Sequence, residues 1–134
     1  MKGFTAFSSQ IQPSELVNFL NTLYSAFDEI LDKFGLYKVE VIGDAYYVVS
    51  GCPVERDPSD NAERCVDASL AMLRTIPRVC EDTSVQIRVG IHSGPVIAGV
   101  VGVKDPRYHV SLYRRCGYVY ARVVVHVYWK KTHR

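Results

Sequence analysis

An α+β sandwich, with helices on one face of an antiparallel-rich sheet, is the fold class this 134-residue sequence predicts. Three observations carry it. Two long segments repeat their apolar residues with the period of a helix, each is followed by a segment with the period of two of a strand pair, and the length suits one domain able to bury a sizeable core. With 48% hydrophobic and 22% charged residues, wholesale disorder and a fibrous repeat are excluded.

Gln12-Pro13-Ser14-Glu15 reads as a helix entry, with Pro at the first helical position and Glu two residues on, where a carboxylate suits the free N–H groups. Leu16, Leu20, Leu23, Phe27, Ile30 and Phe34 then step by four and three, and Val17, Tyr24 and Leu31 widen the stripe as far as Gly35. Asn18, Asn21, Asp28, Asp32 and Lys33 take the other side. From Tyr37 the period becomes two, with Tyr37, Val39 and Val41 opposite Lys38, Glu40 and Ile42, and Ala45 to Val49 forming the return strand. Gly43-Asp44 suits the tight turn between them and displays Asp44 at its tip.

A second helix is predicted from about Ser59 to Ile76, with Cys65, Val66, Ser69, Leu70, Met72, Leu73 and Ile76 inward and Pro77 as its stop. Val85, Ile87, Val89 and Ile91 alternate with Gln86, Arg88, Gly90 and His92 as a half-buried strand; Ser93-Gly94-Pro95 is predicted to turn it and Val96 to Val103 to run back. No strand precedes the first helix.

The formal net charge of +2 conceals a split: residues 1–109 hold all 14 acidic residues and ten of the 16 Lys and Arg, whereas 110–134 hold six basic residues and no acid. The longest nearly apolar run, Tyr118 to Trp129, is 12 residues and includes Arg122 and His126, too short for a spanning helix of ~20 residues. The start, Met1-Lys2-Gly3-Phe4-Thr5, lacks the apolar stretch of a secretory signal. Cys52, Cys65, Cys80 and Cys116 fit neither a zinc spacing nor a disulfide framework, so reduced thiols in the cytoplasm are expected.

Chemistry concentrates at a few places. Glu40 and Asp44 stand four residues apart across a strand end and a hairpin tip, so a cation held by Asp44 and a ligand held by Glu40 could share one cleft; read alone, a Gly-Asp pair is usually only a turn. Gly3-Phe4-Thr5 with Ser8-Ser9 could offer backbone N–H groups and hydroxyls to a phosphate. Gly90, Gly94, Gly99 and Gly102 permit close approach around the second hairpin, and His92 reads as a turn histidine.

Taken together, Gly3-Phe4-Thr5, the run Lys38 to Tyr46 (KVEVIGDAY), the run Arg88 to Gly102 (RVGIHSGPVIAGVVG) and Pro106-Arg107-Tyr108 resemble the class III nucleotide cyclase catalytic domain, in particular its guanylyl cyclase branch, over residues 3–109. The resemblance implies a ferredoxin-like βαββαβ core, here without its first strand, followed by a basic aromatic tail at 110–134 that does not match. It implies head-to-tail dimers, homodimeric or with another cyclase subunit, and conversion of GTP to cyclic GMP and pyrophosphate by two Mg²⁺ or Mn²⁺ ions. Asp44 matches the second of two metal aspartates, Gly3, Phe4 and Thr5 the phosphate loop, and Glu40 the base-reading position. A carboxylate there accepts from the N1–H and 2-amino group of guanine, whereas adenine would leave it poorly paired.

The resemblance also has gaps. The first metal aspartate would fall one position ahead of Met1, His109 stands where guanylyl cyclases usually have Cys, and Val110-Ser111-Leu112-Tyr113-Arg114-Arg115 replaces the run that carries the transition-state Asn and Arg, so no catalytic residue transfers. The chain alone is therefore expected to be inactive. Adenylyl cyclase activity and a non-catalytic dimerisation partner are the alternatives. The tail could contact nucleic acid or an anionic membrane, but a shifted reading frame replacing the true continuation is the simpler expectation, with no specific nucleic acid partner. A cytoplasmic location is expected, within a larger membrane-associated cyclase if the chain is part of one.

Overall fold

The computed structural model describes residues 11–42, 45–54, 57–79, 85–112 and 122–131. Helix α1 spans Pro13–Phe34, with Pro13 in its first turn and the Gln12 N–H donating to Glu15 Oε2 at 3.4 Å. It ends at Gly35, which adopts φ 64°, a left-handed conformation that costs glycine little, while the Gly35 and Leu36 N–H groups donate to the Asp32 and Leu31 carbonyls. Arg64 Nη1 donates to the Phe34 carbonyl at 3.0 Å and satisfies another of the helix's open acceptors.

Strands β1 (Tyr37–Ile42) and β2 (Ala45–Val49) follow, then α2 (Pro58–Val79), β3 (Val85–Gly94), β4 (Val96–Val101), β5 (Arg107–Leu112) and β6 (Arg122–Lys131). The main sheet has the order β1-β2-β6-β3 with every neighbour antiparallel, and β4 pairs with β5 in a second sheet. Because β2 and β3 both run against β6, they are parallel to each other and one strand apart, bridged by α2: a split βαβ unit.

The apolar residues divide between two layers. Leu23, Phe27 and Leu31 of α1 and Cys65, Ala68, Met72 and Ile76 of α2 pack with Tyr46, Val48 and Ile87 on one face of the sheet. Tyr47 and Val49, on the alternate face of β2, pack with Cys52, Val110, Tyr37, Val39 and Tyr108 between the two sheets. β2 is thus covered on both faces, as its unbroken apolar run requires.

Several expectations are corrected. Val17 is 55% exposed, because the buried line of α1 follows Leu23, Phe27 and Leu31 and leaves Val17 at its margin. Val66, Leu70 and Leu73 are also exposed, since α2 buries the narrower line Cys65, Ala68, Ser69, Met72 and Ile76. Pro77 does not stop α2, which continues to Val79; an exposed proline near a helix end removes one N–H without ending the turn. The predicted return of Val96 to Val103 against the preceding strand is wrong. Ser93 and Gly94 extend β3, Pro95 interrupts the ladder, β4 ends at Val101, and the two strands join different sheets because β6 takes the edge of β3.

Residues read as a tail contribute β6, placed between β2 and β3, with Val48 opposite Val125 and Gly90 opposite His126.

Candidate active site

The β1–β2 hairpin carries the candidate site. Its register runs from Tyr37–Val49 to Ile42–Ala45, with one irregularity between Lys38 and Glu40. Strict alternation would put Glu40 on the face of Lys38. The bulge instead sets Glu40 directly opposite Tyr47, whose ring packs in the layer between the sheets. Directly paired residues share a face, so Glu40 turns away from the helices; one extra residue re-aims the side chain, as bulges commonly do. The Tyr47 phenol registers this neighbour: its pKa is raised by burial first and by the Glu40 carboxylate second.

Lys38, before the bulge, keeps the helix side. Its ammonium donates to both oxygens of Asp28, at 2.6 and 2.8 Å, and the Tyr46 hydroxyl donates to the same carboxylate. Burial, then the hydrogen bond to Asp28, push the Tyr46 phenol far above its ordinary pKa. Phe27 meets the Tyr46 ring edge-on with centroids 5.4 Å apart, and Tyr24 stacks on it. These contacts fasten the hairpin to α1. Sequence reasoning placed Asp28 on the polar side of the helix and gave it no task; the partners lie 10 and 18 residues away, and no local pattern announces them.

The second sheet is fastened to the same hairpin by Tyr108. Its hydroxyl lies 2.6 Å from Cys52 Sγ, and its ring meets Tyr37 edge-on at 5.3 Å. His109, the next residue, is exposed and alternates with Tyr108 and Val110, which face the apolar layer. No hydrogen bond or ion pair joins His109 to Glu40 among the described residues. At the other end of the hairpin β4–β5, Gly102 has φ 103°, and a Cβ there would lie 2.8 Å from the Asp105 carbonyl oxygen, so the connection demands glycine.

Gly3, Phe4, Thr5 and Asp44 lie outside the described residues. Among the described residues no group of three His, Cys, Asp or Glu side chains could hold a metal ion, and no helix is long and apolar enough to cross a membrane. An open hollow of about 410 Å³ beside Asp28, Asp32 and Lys38 includes none of the predicted site residues.

The geometry defines an α+β protein whose carboxylate-bearing hairpin is clamped between a helical layer and a second sheet. Residues 1–113 match the family described as the adenylate and guanylate cyclase catalytic domain, and the chain belongs to that family. The match ends four residues beyond His109. A membrane guanylyl cyclase of Dictyostelium discoideum is 46% identical over 110 residues, which are 81% of this chain and 7% of that protein. The guanylate cyclase domain of RhGC from Catenaria anguillulae, solved in complex with GTP, superposes with a TM-score of 0.68 at 30% identity, covering 82% of this chain and 60% of the other. A non-canonical dimeric guanylyl cyclase domain of the RhoGC fusion protein from Blastocladiella emersonii gives 0.65 at 31% identity, covering 81% and 60%. The chain therefore spans 7% of that curated relative and 60% of each solved domain, less than two thirds in every case.

Proposed function

We propose that this chain forms part of a guanylate cyclase catalytic domain that binds GTP and converts it to cyclic GMP and pyrophosphate, and that alone it binds the nucleotide without turning it over. The observation that carries the reading is the position of Glu40. The bulge turns its carboxylate toward the space between the sheets, where it can accept from the N1–H and 2-amino group of a guanine edge. A site built to pair such donors rejects a base that lacks them by leaving a polar group unsatisfied. His109, which the resemblance assigned to the same edge, points away from that space and is given no part in reading the base, and Gly3, Phe4 and Thr5 are assigned to the phosphates.

Catalytic domains of this family use a divalent metal, which supplies charge to the phosphates. Asp44 is assigned to hold that metal. The chain's own residues are left to bind and orient the base. We assign this domain to a head-to-tail pair with a second cyclase chain, inside a longer protein that holds it on the cytoplasmic side of the membrane.

Titration of the purified chain with a fluorescent GTP analogue, together with an assay for cyclic GMP in the presence of Mn²⁺, tests this. Binding that prefers the guanine over the adenine analogue, without product, is the expected result. Turnover comparable to that of a complete cyclase domain and abolished by Asp44→Ala would overturn the inactive reading, and equal binding of both analogues would overturn the assignment of Glu40.

A further inference from the structure

Helix α2 leaves an apolar stripe uncovered. Cys65, Ala68, Ser69, Met72 and Ile76 are buried, whereas Val66, Leu70 and Leu73, each more than two fifths exposed, follow one another at steps of four and three along a second line that Ala62 and Pro77 extend at either end. Arg64, whose guanidinium reaches the Phe34 carbonyl of α1, stands on the opposite side of the helix, so α1 does not cover the stripe. Beside the stripe runs a row of exposed charges, Glu63, Asp67, Arg74 and Arg78. Their order does not suit a helix on its own. Neighbours four residues apart are acid beside acid and base beside base, which is destabilising, while Asp67 and Arg74 stand two turns apart, about 10 Å, too far to pair. Among the described residues none of the four has an ion-pair partner. The helix macrodipole favours acids at the start and bases at the end, but it fades within the first and last turns and does not account for Asp67 and Arg74 in the middle of Pro58–Val79.

We propose that this face of α2 is a self-complementary docking surface whose partner is α2 of a second copy of the chain, laid antiparallel with Leu70 against Leu70. In that single register Val66 of each copy meets Leu73 of the other, Asp67 meets Arg74 and Glu63 meets Arg78, so the apolar contacts are flanked by ion pairs in both directions. A two-fold axis perpendicular to the helices keeps the charged rows of both copies on the same side, as an isologous contact requires. A parallel arrangement would set acid against acid and base against base. The face is small beside a standard interface of ~800 Å² per partner, so the association is reversible and depends on concentration. The inference rests neither on nucleotide binding nor on head-to-tail pairing.

The test uses the full chain with Cys80→Ser and Cys116→Ser, in which Cys52 and Cys65 remain as buried thiols. Leu70→Cys is the reporter, and Val17→Cys, also exposed but on α1, is the control. Two cysteines at the centre of a closely packed antiparallel helix pair come within disulfide reach, so the reporter is expected to form disulfide-linked dimers on the order of tenfold faster than the control. With the reporter in place, Asp67→Arg and Arg74→Asp each set like charges together across the contact and are expected to slow bridging on the order of tenfold. An equimolar mixture of these two variants restores opposite charges at every such pair and is expected to regain most of the parent rate, which neither a folding defect nor pairing through another surface would produce. Bridging at Leu70→Cys no faster than at Val17→Cys, a rate indifferent to the charge substitutions, or a mixture as slow as its components would each overturn the proposal.

Discussion

Glu40 lies directly across the β1–β2 pair from Tyr47, on the face of the sheet turned away from the helices. The pairing gives the carboxylate a partly buried setting and gives the tyrosine a spectroscopic signal of its neighbour. Glu40→Lys is expected to weaken binding of a GTP analogue on the order of tenfold or more, which is ~1.4 kcal/mol per tenfold. The same substitution is expected to lower the titration midpoint of the Tyr47 phenol, because the charge that raised it is removed. Nucleotide titration and ultraviolet absorbance at alkaline pH measure the two effects separately.

Asp28 serves two donors of unequal worth. The Tyr46 hydroxyl is part-buried, whereas the Lys38–Asp28 pair is about two fifths exposed on each side. Tyr46→Phe is expected to cost about 1 kcal/mol, and Lys38→Met less than about 0.5 kcal/mol, since water screens an exposed pair. Urea denaturation of the two variants tests the order; equal losses would contradict it.

Alkaline pH is expected to destabilise the chain in a defined window. Burial pushes the Cys65 thiol up to about 12 from 9.0, against a smaller lowering by Ser50. A group with a raised pKa in the folded state contributes its full stabilisation below the unfolded value and loses it as pH rises toward the folded one. Stability is therefore expected to fall between about pH 9 and 12, with Tyr46 adding to the loss above pH 10. Denaturant midpoints across that range should decline less steeply in Cys65→Ala than in the parent chain.

Gly102→Ala is expected to destabilise the β4–β5 connection by more than ~1 kcal/mol, because the new methyl group would meet the Asp105 carbonyl at 2.8 Å in a backbone conformation that suits glycine. Gly99, where a Cβ would meet nothing within 4 Å, is the control position. A shift in melting temperature for the first variant and little for the second is the expected contrast.

The helices were legible because their apolar residues repeat often enough to average out exceptions: Leu23, Phe27 and Leu31 fall on the predicted stripe even though Val17 does not. The β1–β2 hairpin was legible from Gly43-Asp44 and the switch to a period of two. The pairing of β3 was not, because a strand's edges carry no mark of which partner takes them; Ser93-Gly94-Pro95 looks like a hairpin turn, yet the proline separates two sheets. β6 was hidden for a related reason. An apolar run at the end of the chain says that it needs cover on both faces, not where in the fold that cover exists. At the candidate site, Glu40 could be found from its motif, but its orientation depended on a bulge, and Asp28 and Tyr108 act through contacts 10 to 56 residues distant in sequence.

The bulge at Val39 divides β1 into two mechanical halves that are out of phase. The half containing Lys38 anchors to the helix, and the half containing Glu40 addresses the opposite side. Deleting Val39 would leave Glu40 across from Tyr47, because adjacent residues of a strand point to opposite faces, whereas one residue inserted into β2 between Tyr47 and Val48 would give Val39 a partner, restore strict alternation and return Glu40 to the phase of Lys38. The ligand recognition proposed for Glu40 is thus set by residue count as much as by residue type, and that added residue is expected to abolish it while every motif residue remains in place.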